Sequence, residues 1–300
     1  MKKKIRGIIV LLIATIIWGS AFSAQSEAMK YMGPFSFQAV RCFLAVLVLI
    51  PASAIADKFK NDGSTFIKRW SNKKLWIAGL LCGIPLFLAC NLQQLGLDDN
   101  TDPGKSGFLT AMYIIIVPIL GIFLKKKPTI MIPISVALAT VGLYFLSCMG
   151  VTQISTGDLL TLGCALAFAV QITFVDRFAN NTDALRLNAI QALVCTILST
   201  IVMIFTEQLT WNGIFQSSFY LVHTGVFSMG AGYFLQIVGQ QDLDSTPASL
   251  LMSLESVFAA LFAWLFLQKA MGGWEILGAG LILIAVILSQ IPVKLKKKIA

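Results

Sequence analysis

Apolar runs of roughly 20 residues follow one another along almost the whole chain, and short polar connections separate them. A helix of about 20 apolar residues is long enough to cross the hydrocarbon core of a bilayer. Of the 300 residues 57% are hydrophobic and only 12% are charged, whereas an ordinary soluble domain has about 25% charged residues. The sequence therefore predicts an all-α membrane protein with ten transmembrane helices and no separate soluble domain. The predicted spans are 8–25, 35–56, 75–97, 106–124, 129–148, 157–175, 185–205, 219–239, 248–267 and 274–291.

The positive charges predict how these helices are oriented. The formal net charge is +9, which in a soluble protein would suggest nucleic acid as a partner. Here most of the 23 lysines and arginines fall in the termini and in alternate connections, which is the positive-inside pattern. We therefore expect both termini in the cytoplasm, contact between the basic loops and anionic lipid headgroups, and no nucleic-acid partner. The exceptions are Lys30, Lys105 and Lys269 on the other side, and Arg41 inside a span.

The two halves of the chain match each other span by span. Because each half has five spans, an odd number, the second half must enter the membrane from the opposite side. Residues 1–150 and 151–300 are therefore predicted to form an inverted-topology repeat, a design common in secondary transporters. The first 24 residues resemble a signal peptide, but we expect them to be retained because span 157–175 would otherwise lack its counterpart. The matched pairs are Trp18 with Phe168, Arg41 with Gln191, Gln93 with Gln236 and Tyr113 with Glu255.

Glu255 is the one charged residue well inside the ninth predicted span. A carboxylate at that depth costs roughly 2.5–3.5 kcal/mol on insertion scales, so it must face protein or a water-filled cavity. It can act as a proton-titrating or cation-binding group, or it can be a structural polar contact between helices. Its counterpart Tyr113 is the polar position of the fourth span, and a repeat that contains a buried charge suggests a transport path.

Arg41 lies inside the second span and allows two interpretations. It can be the counter-charge for a carboxylate or phosphate of the substrate, or it can extend its head group to the nearby membrane surface. The rise of an α-helix places the backbones of Arg41 and Glu255 within about 8 Å of each other in depth, so an ion pair can form if their helices adjoin. Trp18, Asn91 and Gln236 complete the candidate substrate-binding residues, since aromatic rings and neutral amides can bind a substrate or simply pack helices together.

Motifs of enzymes and nucleotide-driven pumps are absent from the sequence. It contains no Walker loop, no dinucleotide fingerprint, no HExxH and no nucleophile elbow. The six cysteines lie in apolar spans without a CxxC, and the only histidine is His223. We therefore expect no enzymatic activity, no cofactor and no metal, and we expect transport to be driven by gradients.

One block of the ninth span resembles the signature of a known family. Residues Leu254 to Leu261 read Leu-Glu-Ser-Val-Phe-Ala-Ala-Leu, which is similar to the Leu-Glu-Pro-Val-Phe-Ala-Ala-Leu of the EamA family in the drug/metabolite transporter superfamily. Ser256 replaces the family's proline, and Gln268-Lys269 and Lys125-Lys126 replace its Gly-Glu endings. Further matches are Trp18-Gly19-Ser20 with Phe22, Arg41, Gln93 to Leu97, and Leu109 to Pro118.

The resemblance implies a ten-helix inverted repeat in the inner membrane of a prokaryote. Members of the family export amino acids or other small metabolites by alternating access. We accordingly expect a secondary transporter whose partners are a small-molecule substrate and membrane lipids, with a homodimer left open. Two alternatives remain: efflux of lipophilic cations, for which Glu255 alone supplies the counter-charge, and a non-saturable channel or lipid scramblase.

Overall fold

The computed structural model describes residues 2–60, 63–99, 101–125, 130–147, 154–267 and 271–291. Their regular structure is entirely helical, and no strand occurs within these ranges. The first seven α-helices are α1 (Lys2–Ala28), α2 (Pro34–Asp57), α3 (Phe66–Trp70), α4 (Lys73–Asp98), α5 (Pro103–Ala111), α6 (Tyr113–Phe123) and α7 (Met131–Ser147). The remaining ones are α8 (Thr156–Phe178), α9 (Ala184–Thr206), α10 (Trp211–Gln216), α11 (Ser218–Val222), α12 (Tyr233–Gln240), α13 (Ser245–Met252), α14 (Leu254–Leu267) and α15 (Gly273–Ser289).

Eight helical stretches of the described chain are long and apolar enough to cross a membrane. The predicted all-α, multi-pass membrane protein is thereby confirmed. The predicted fifth and tenth spans coincide with two shorter apolar helices, Met131–Leu146 and Gly273–Ser289. The endings Lys125-Lys126 and Gln268-Lys269 and the cysteine at position 148 lie wholly or partly outside the described residues.

Two of the spans are broken near their middle. The stretch Pro103–Phe123 is interrupted at Met112, between α5 and α6, and Ser245–Leu265 is interrupted at Ser253, between α13 and α14. The two turns have nearly the same backbone angles, with φ −60° and ψ −12° at Met112 and φ −62° and ψ −13° at Ser253. The backbone N–H groups of Ile115 and Ser256 donate to the carbonyls of Met112 and Ser253 at 3.1 and 3.2 Å, so each interruption is one tightened helical turn inside the bundle.

A π-helix, His223–Gly232, forms the middle of the span between α11 and α12. In this form the backbone N–H bonds to the carbonyl five residues earlier, and such segments in proteins often occur at functional sites. Its glycines allow close approach of other helices. A β-carbon on Gly232 would lie 2.6 Å from the Trp18 indole nitrogen, and one on Gly225 would lie 2.8 Å from the Arg41 carbonyl oxygen.

Helices α2 and α9 pack along their whole length, and an acidic residue joins them at each end. Asp57 at the end of α2 forms an ion pair with Arg186 in the first turn of α9. Glu207 at the end of α9 accepts hydrogen bonds from the backbone N–H groups of Phe35 and Ser36, at 2.9 and 2.7 Å, in the first turn of α2. The free N–H groups of a helix N-terminus are natural partners for a carboxylate, so these contacts fix the pair at both ends.

Candidate functional site

A cavity lies where the two broken helices, the π-helix and α1 meet. It is narrow, with a volume of about 40 Å³ open to the centres of water-sized molecules. We call it the Arg41–Glu255 cavity, because these are the two charged residues that line it. Its lining residues are Trp18, Ala21, Phe22, Gln25, Arg41, Gln93, Tyr113, Phe168, Ile172, Ser228, Tyr233, Gln236, Met252 and Glu255.

Glu255 lies in the first turn of α14, directly after the break at Ser253. The hydroxyl of Tyr113, the first residue of α6, donates a hydrogen bond of 2.9 Å to Glu255 Oε1. A second contact joins the two broken helices, since Ser256 Oγ donates to the Gly107 carbonyl at 2.9 Å. Within the described residues Glu255 has no ion pair. The carboxylate is thus buried, held by one phenol, and still able to bind a cation.

Arg41 is the second charged group of the cavity and is only 2% exposed. Its Nη1 donates to Gln25 Oε1 at 2.5 Å, and its guanidinium lies over the Phe37 ring at 5.5 Å. The Nε has no hydrogen-bond partner, and no carboxylate forms an ion pair with Arg41 in the described part of the chain. A buried cation without a counter-ion is costly, so this environment suits an anionic group of a ligand. The ion pair that the sequence allowed between Arg41 and Glu255 does not form, although both residues line one cavity.

Aromatic side chains supply the apolar part of the lining. The rings of Trp18 and Tyr233 lie 5.1 Å apart and are tilted by 53°. The Trp18 Nε1 donates to the Ser228 carbonyl of the π-helix at 3.4 Å. Phe22 and Phe168 complete this surface. Aromatic faces of this kind can pack against an apolar side chain or bind a cation.

Neutral amides form the remaining polar lining. Gln236 Nε2 donates to Gln171 Oε1 and to Gln240 Oε1, each at 3.0 Å. The Oε1 of Gln236 is buried without a partner. Gln93 Nε2 donates to Thr110 Oγ1 at 3.0 Å. Because both hydrogens of the Gln236 amide are already used, only its oxygen remains for a ligand.

Five of the six predicted site residues line this cavity: Trp18, Arg41, Tyr113, Gln236 and Glu255. Asn91 is not among the lining residues, since its Nδ2 donates to the Phe87 carbonyl and to Ser199 Oγ between α4 and α9. The cavity also contains residues that the sequence interpretation did not select, above all Gln25 and Tyr233. A polar residue at the end of a predicted span was the only available signal for Gln25.

A second buried arginine lies in a different environment. Arg186 is 1% exposed and forms ion pairs with Asp57 and, at 3.3 Å, with Asp183. The rings of Phe66 and Trp70 lie 5.7 Å from its guanidinium carbon. At Asp183 burial acts to raise the pKa, but hydrogen bonds from Lys60 and from the Arg186 backbone, with the charges of both residues, lower the pKa overall. The charge of Arg186 is thus balanced by carboxylates of the protein itself.

Groups that could hold a metal are not apparent in the described chain: no three His, Cys, Asp or Glu side chains are clustered there. The five described cysteines are buried and free. His223 Nε2 lies 3.0 Å from Ser20 Oγ, away from the cavity lining. The cavity chemistry therefore comes from Arg41, Glu255, amides and aromatic rings.

The apolar spans and a buried cavity lined by two charged residues are features of a multi-pass membrane protein of the transporter class. Comparison with known families is consistent with this class, because the model of the EamA-like transporter family matches residues 5–148 and again 155–290. The chain belongs to the EamA-like transporter family.

Several known proteins are similar over most of the chain. An uncharacterized transporter of Archaeoglobus fulgidus is 32% identical, covering 94% of this chain and 85% of that protein. The uncharacterized transporter YvbV of Bacillus subtilis is 24% identical, covering 86% and 83%. A chloroplastic WAT1-related protein of Arabidopsis thaliana is 22% identical, covering 94% and 69%. A solved crystal structure at 17% identity superimposes with a TM-score of 0.76 over 95% of this chain and 96% of the other, which shows the shared fold.

Proposed function

We propose that this protein is a gradient-driven secondary transporter that exports amino acids or similar small metabolites by alternating access. One observation carries the proposal: Arg41 and Glu255, two buried and opposite charges, line the same cavity without pairing with each other. Unpaired charges in a membrane interior are costly and mark substrate or ion pathways. A substrate with both charges would neutralise the two residues at once.

The arrangement of the cavity favours a zwitterion with an apolar side chain. Arg41 can bind a carboxylate through its free Nε and the hydrogens that Gln25 does not occupy. Glu255, aided by the free oxygen of Gln236, can bind an ammonium group. Trp18 and Tyr233 can pack against the side chain. Amino acids combine these three features.

The proposed architecture is an inverted repeat of two five-helix units, residues 1–150 and 151–300. Three observations support it. The breaks at Met112 and Ser253 occur in corresponding spans, and the paired residues Tyr113 and Glu255 follow them. The contacts at the two ends of the α2–α9 pair also correspond. In each, an acidic residue at the end of one helix contacts the first turn of the other helix. Broken helices that meet at the bilayer midplane form the substrate sites of many secondary transporters.

The proposed setting is the inner membrane of a prokaryotic cell, with both termini in the cytoplasm. The positive-inside distribution supports this orientation. In this setting the basic loops contact anionic headgroups, and the substrate is a small molecule rather than a nucleic acid. Removing the charges of the basic loops is expected to change topology rather than substrate choice.

The test is uptake into proteoliposomes, with and without a pH gradient, of three probes that share one aromatic side chain. Phenylalanine has both charges, phenethylamine lacks the carboxylate, and 3-phenylpropanoate lacks the ammonium group. We expect saturable uptake of phenylalanine that responds to the pH gradient, and loss of that response in Glu255→Gln. Asp242→Asn is the matched control, because this buried acid pairs with Arg6 at 2.6 Å outside the cavity.

Two results would contradict the proposal. Uptake that rises linearly with concentration identifies a channel, and a wild-type pH response in Glu255→Gln removes the carboxylate from the coupling mechanism. Efflux of lipophilic cations is the second candidate, favoured by the aromatic rings of Trp18 and Tyr233 in a cavity that also contains Glu255. It predicts that phenethylamine is transported in preference to phenylalanine, so that Arg41→Gln leaves transport of the preferred probe unchanged.

A further inference from the structure

The side-chain amides beside the cavity form one continuous hydrogen-bonded chain. It begins at the π-helix, where Asn188 Nδ2 donates to the carbonyls of Met229 and Gly230 at 3.1 and 2.8 Å. Gln191 Nε2 then donates to Asn188 Oδ1 at 2.8 Å. We call this the amide chain, and its members, all at most 2% exposed, are Asn188, Gln191, Gln171, Gln236 and Gln240.

The remaining links continue with the same polarity. Gln171 Nε2 donates to Gln191 Oε1 at 3.3 Å, and Gln236 Nε2 donates to Gln171 Oε1 at 3.0 Å. A branch leaves Gln236, whose Nε2 also donates to Gln240 Oε1 at 3.0 Å. This branch ends at a second backbone carbonyl, because Gln240 Nε2 donates to the Ile172 oxygen at 2.9 Å.

Backbone carbonyls determine the orientation of every amide in this chain. A carbonyl oxygen can only accept, so Asn188 must present its nitrogen to Met229 and Gly230. Its oxygen then has to accept from Gln191, and the same reasoning fixes Gln171 and Gln236 in turn. The Ile172 carbonyl imposes the same orientation on Gln236 through Gln240. If one amide turned over, its nitrogen would face another nitrogen, and buried groups would lose their partners.

We propose that Gln171, Gln191 and Asn188 are positioning residues that make the Gln236 side of the cavity a hydrogen-bond acceptor. The two hydrogens of Gln236 are held by Gln171 and Gln240, so its free Oε1 can only accept from a ligand. With Glu255 this gives the cavity two acceptors for a ligand that carries several N–H donors, such as a primary ammonium group. The carbonyls of Met229 and Gly230 in the π-helix, which do not line the cavity, thereby determine its substrate specificity. This inference rests on the proposed function and names the ligand group that the Gln236 side selects.

The polarity of the chain is tested without any ligand, by thermal unfolding of purified protein at pH 9. Gln236→Glu removes both donors and places a carboxylate against the oxygens of Gln171 and Gln240. We expect it to lower Tm by about 5 °C, on the order of one lost buried hydrogen-bond network. Adding Gln171→Met removes one of the two oxygens that repel the new carboxylate. The Tm of Q171M/Q236E should therefore be higher than the sum of the Tm shifts of the two single variants predicts.

The opposite sign would overturn the proposal. If Gln171 can turn freely, it offers its nitrogen to the new carboxylate, and Gln171→Met then makes Gln236→Glu still less stable than additivity predicts. Gln93→Met is the matched control, because Gln93 also lines the cavity but bonds to Thr110 and not to the amide chain. The Tm shift of Gln93→Met should add to the Tm shift of Gln236→Glu in the double variant.

Specificity is tested by binding of phenylalanine and 3-phenylpropanoate to the same variants. Gln171→Met is expected to weaken phenylalanine binding about tenfold, the size of a lost hydrogen bond to a charged group, and to leave 3-phenylpropanoate within about twofold. Q171M/Q236M should bind phenylalanine no more weakly than Q236M alone. Equal weakening of both probes would show a packing role and overturn the proposal. If wild type binds neither probe, the proposed substrate class fails, and the sign of the stability coupling alone decides the polarity of the chain.

Discussion

Arg41 and Arg186 are both buried arginines near the start of long helices, yet their surroundings are opposite. Arg186 is neutralised by Asp57 and Asp183 and is stacked near two aromatic rings. Arg41 contacts the Gln25 amide, the Phe37 ring and the cavity, and no carboxylate pairs with it in the described part of the chain. Within the described residues one cation has two carboxylate partners and the other has no counter-ion. Burial alone therefore does not identify a binding residue. A buried charge is a candidate for ligand binding when the protein supplies no counter-ion for it.

The largest expected effect is on the stability of the Arg186 cluster. Arg186→Gln leaves Asp57 and Asp183 with only Lys60 and Arg69 as neighbours, and breaking a buried ion pair costs about 3 kcal/mol. We expect a large fall in Tm of the purified protein and a low yield of folded material. An unchanged Tm would show that the cluster does not hold α2 and α9 together.

Arg41→Gln is expected to behave in the opposite way. It removes a buried charge that has no counter-ion, so Tm should stay the same or rise. Binding of 3-phenylpropanoate and phenylalanine should weaken roughly 10- to 100-fold, because the charge-assisted bond to the carboxylate is lost. Phenethylamine is the internal control and should bind as before. A fall in Tm as large as that of Arg186→Gln would mean that Arg41 is a structural residue too.

The smallest expected effect is a pH dependence to which Asp183 of the Arg186 cluster contributes. The pKa of Asp183 is lowered in the folded protein, so its contribution to stability is present above the unfolded value of about 3.9 and is lost as pH falls through the lower folded value. Asp183→Asn should flatten the decline of Tm below about pH 4. Wild type and the variant falling in parallel would contradict this, and Arg41→Gln should leave the decline unchanged.

The sequence predicts much of the fold and part of the site, for reasons that the particular residues make clear. Hydropathy alone reveals long apolar spans, because a bilayer demands them. The sequence repeat pairs Tyr113 with Glu255, and in the structure these two residues form a hydrogen bond. Burial of a lone carboxylate in an apolar run was sufficient to identify Glu255 as a candidate site residue.

What the sequence could not predict depends on rotation of the helices and on backbone detail. Asn91 lies two residues from Gln93 on the same helix, so the two side chains point in different directions, and only Gln93 reaches the cavity. Hydropathy does not predict the π-helix. The sequence therefore gives no indication of the π-helix carbonyls that orient the amide chain. Hydropathy gives no sign that Arg186, at the start of the predicted span 185–205, is buried, whereas the structure places it buried in the first turn of α9.

The most direct measurement of the central claim is saturable binding of labelled phenylalanine to the purified protein, compared among wild type, Arg41→Gln and Glu255→Gln. A zwitterion held between the two charges predicts that wild type binds and that each variant loses most of the affinity. Asp242→Asn should bind as wild type does. Wild-type affinity in both cavity variants would contradict the account, because the unpaired charges would then have no part in binding the substrate.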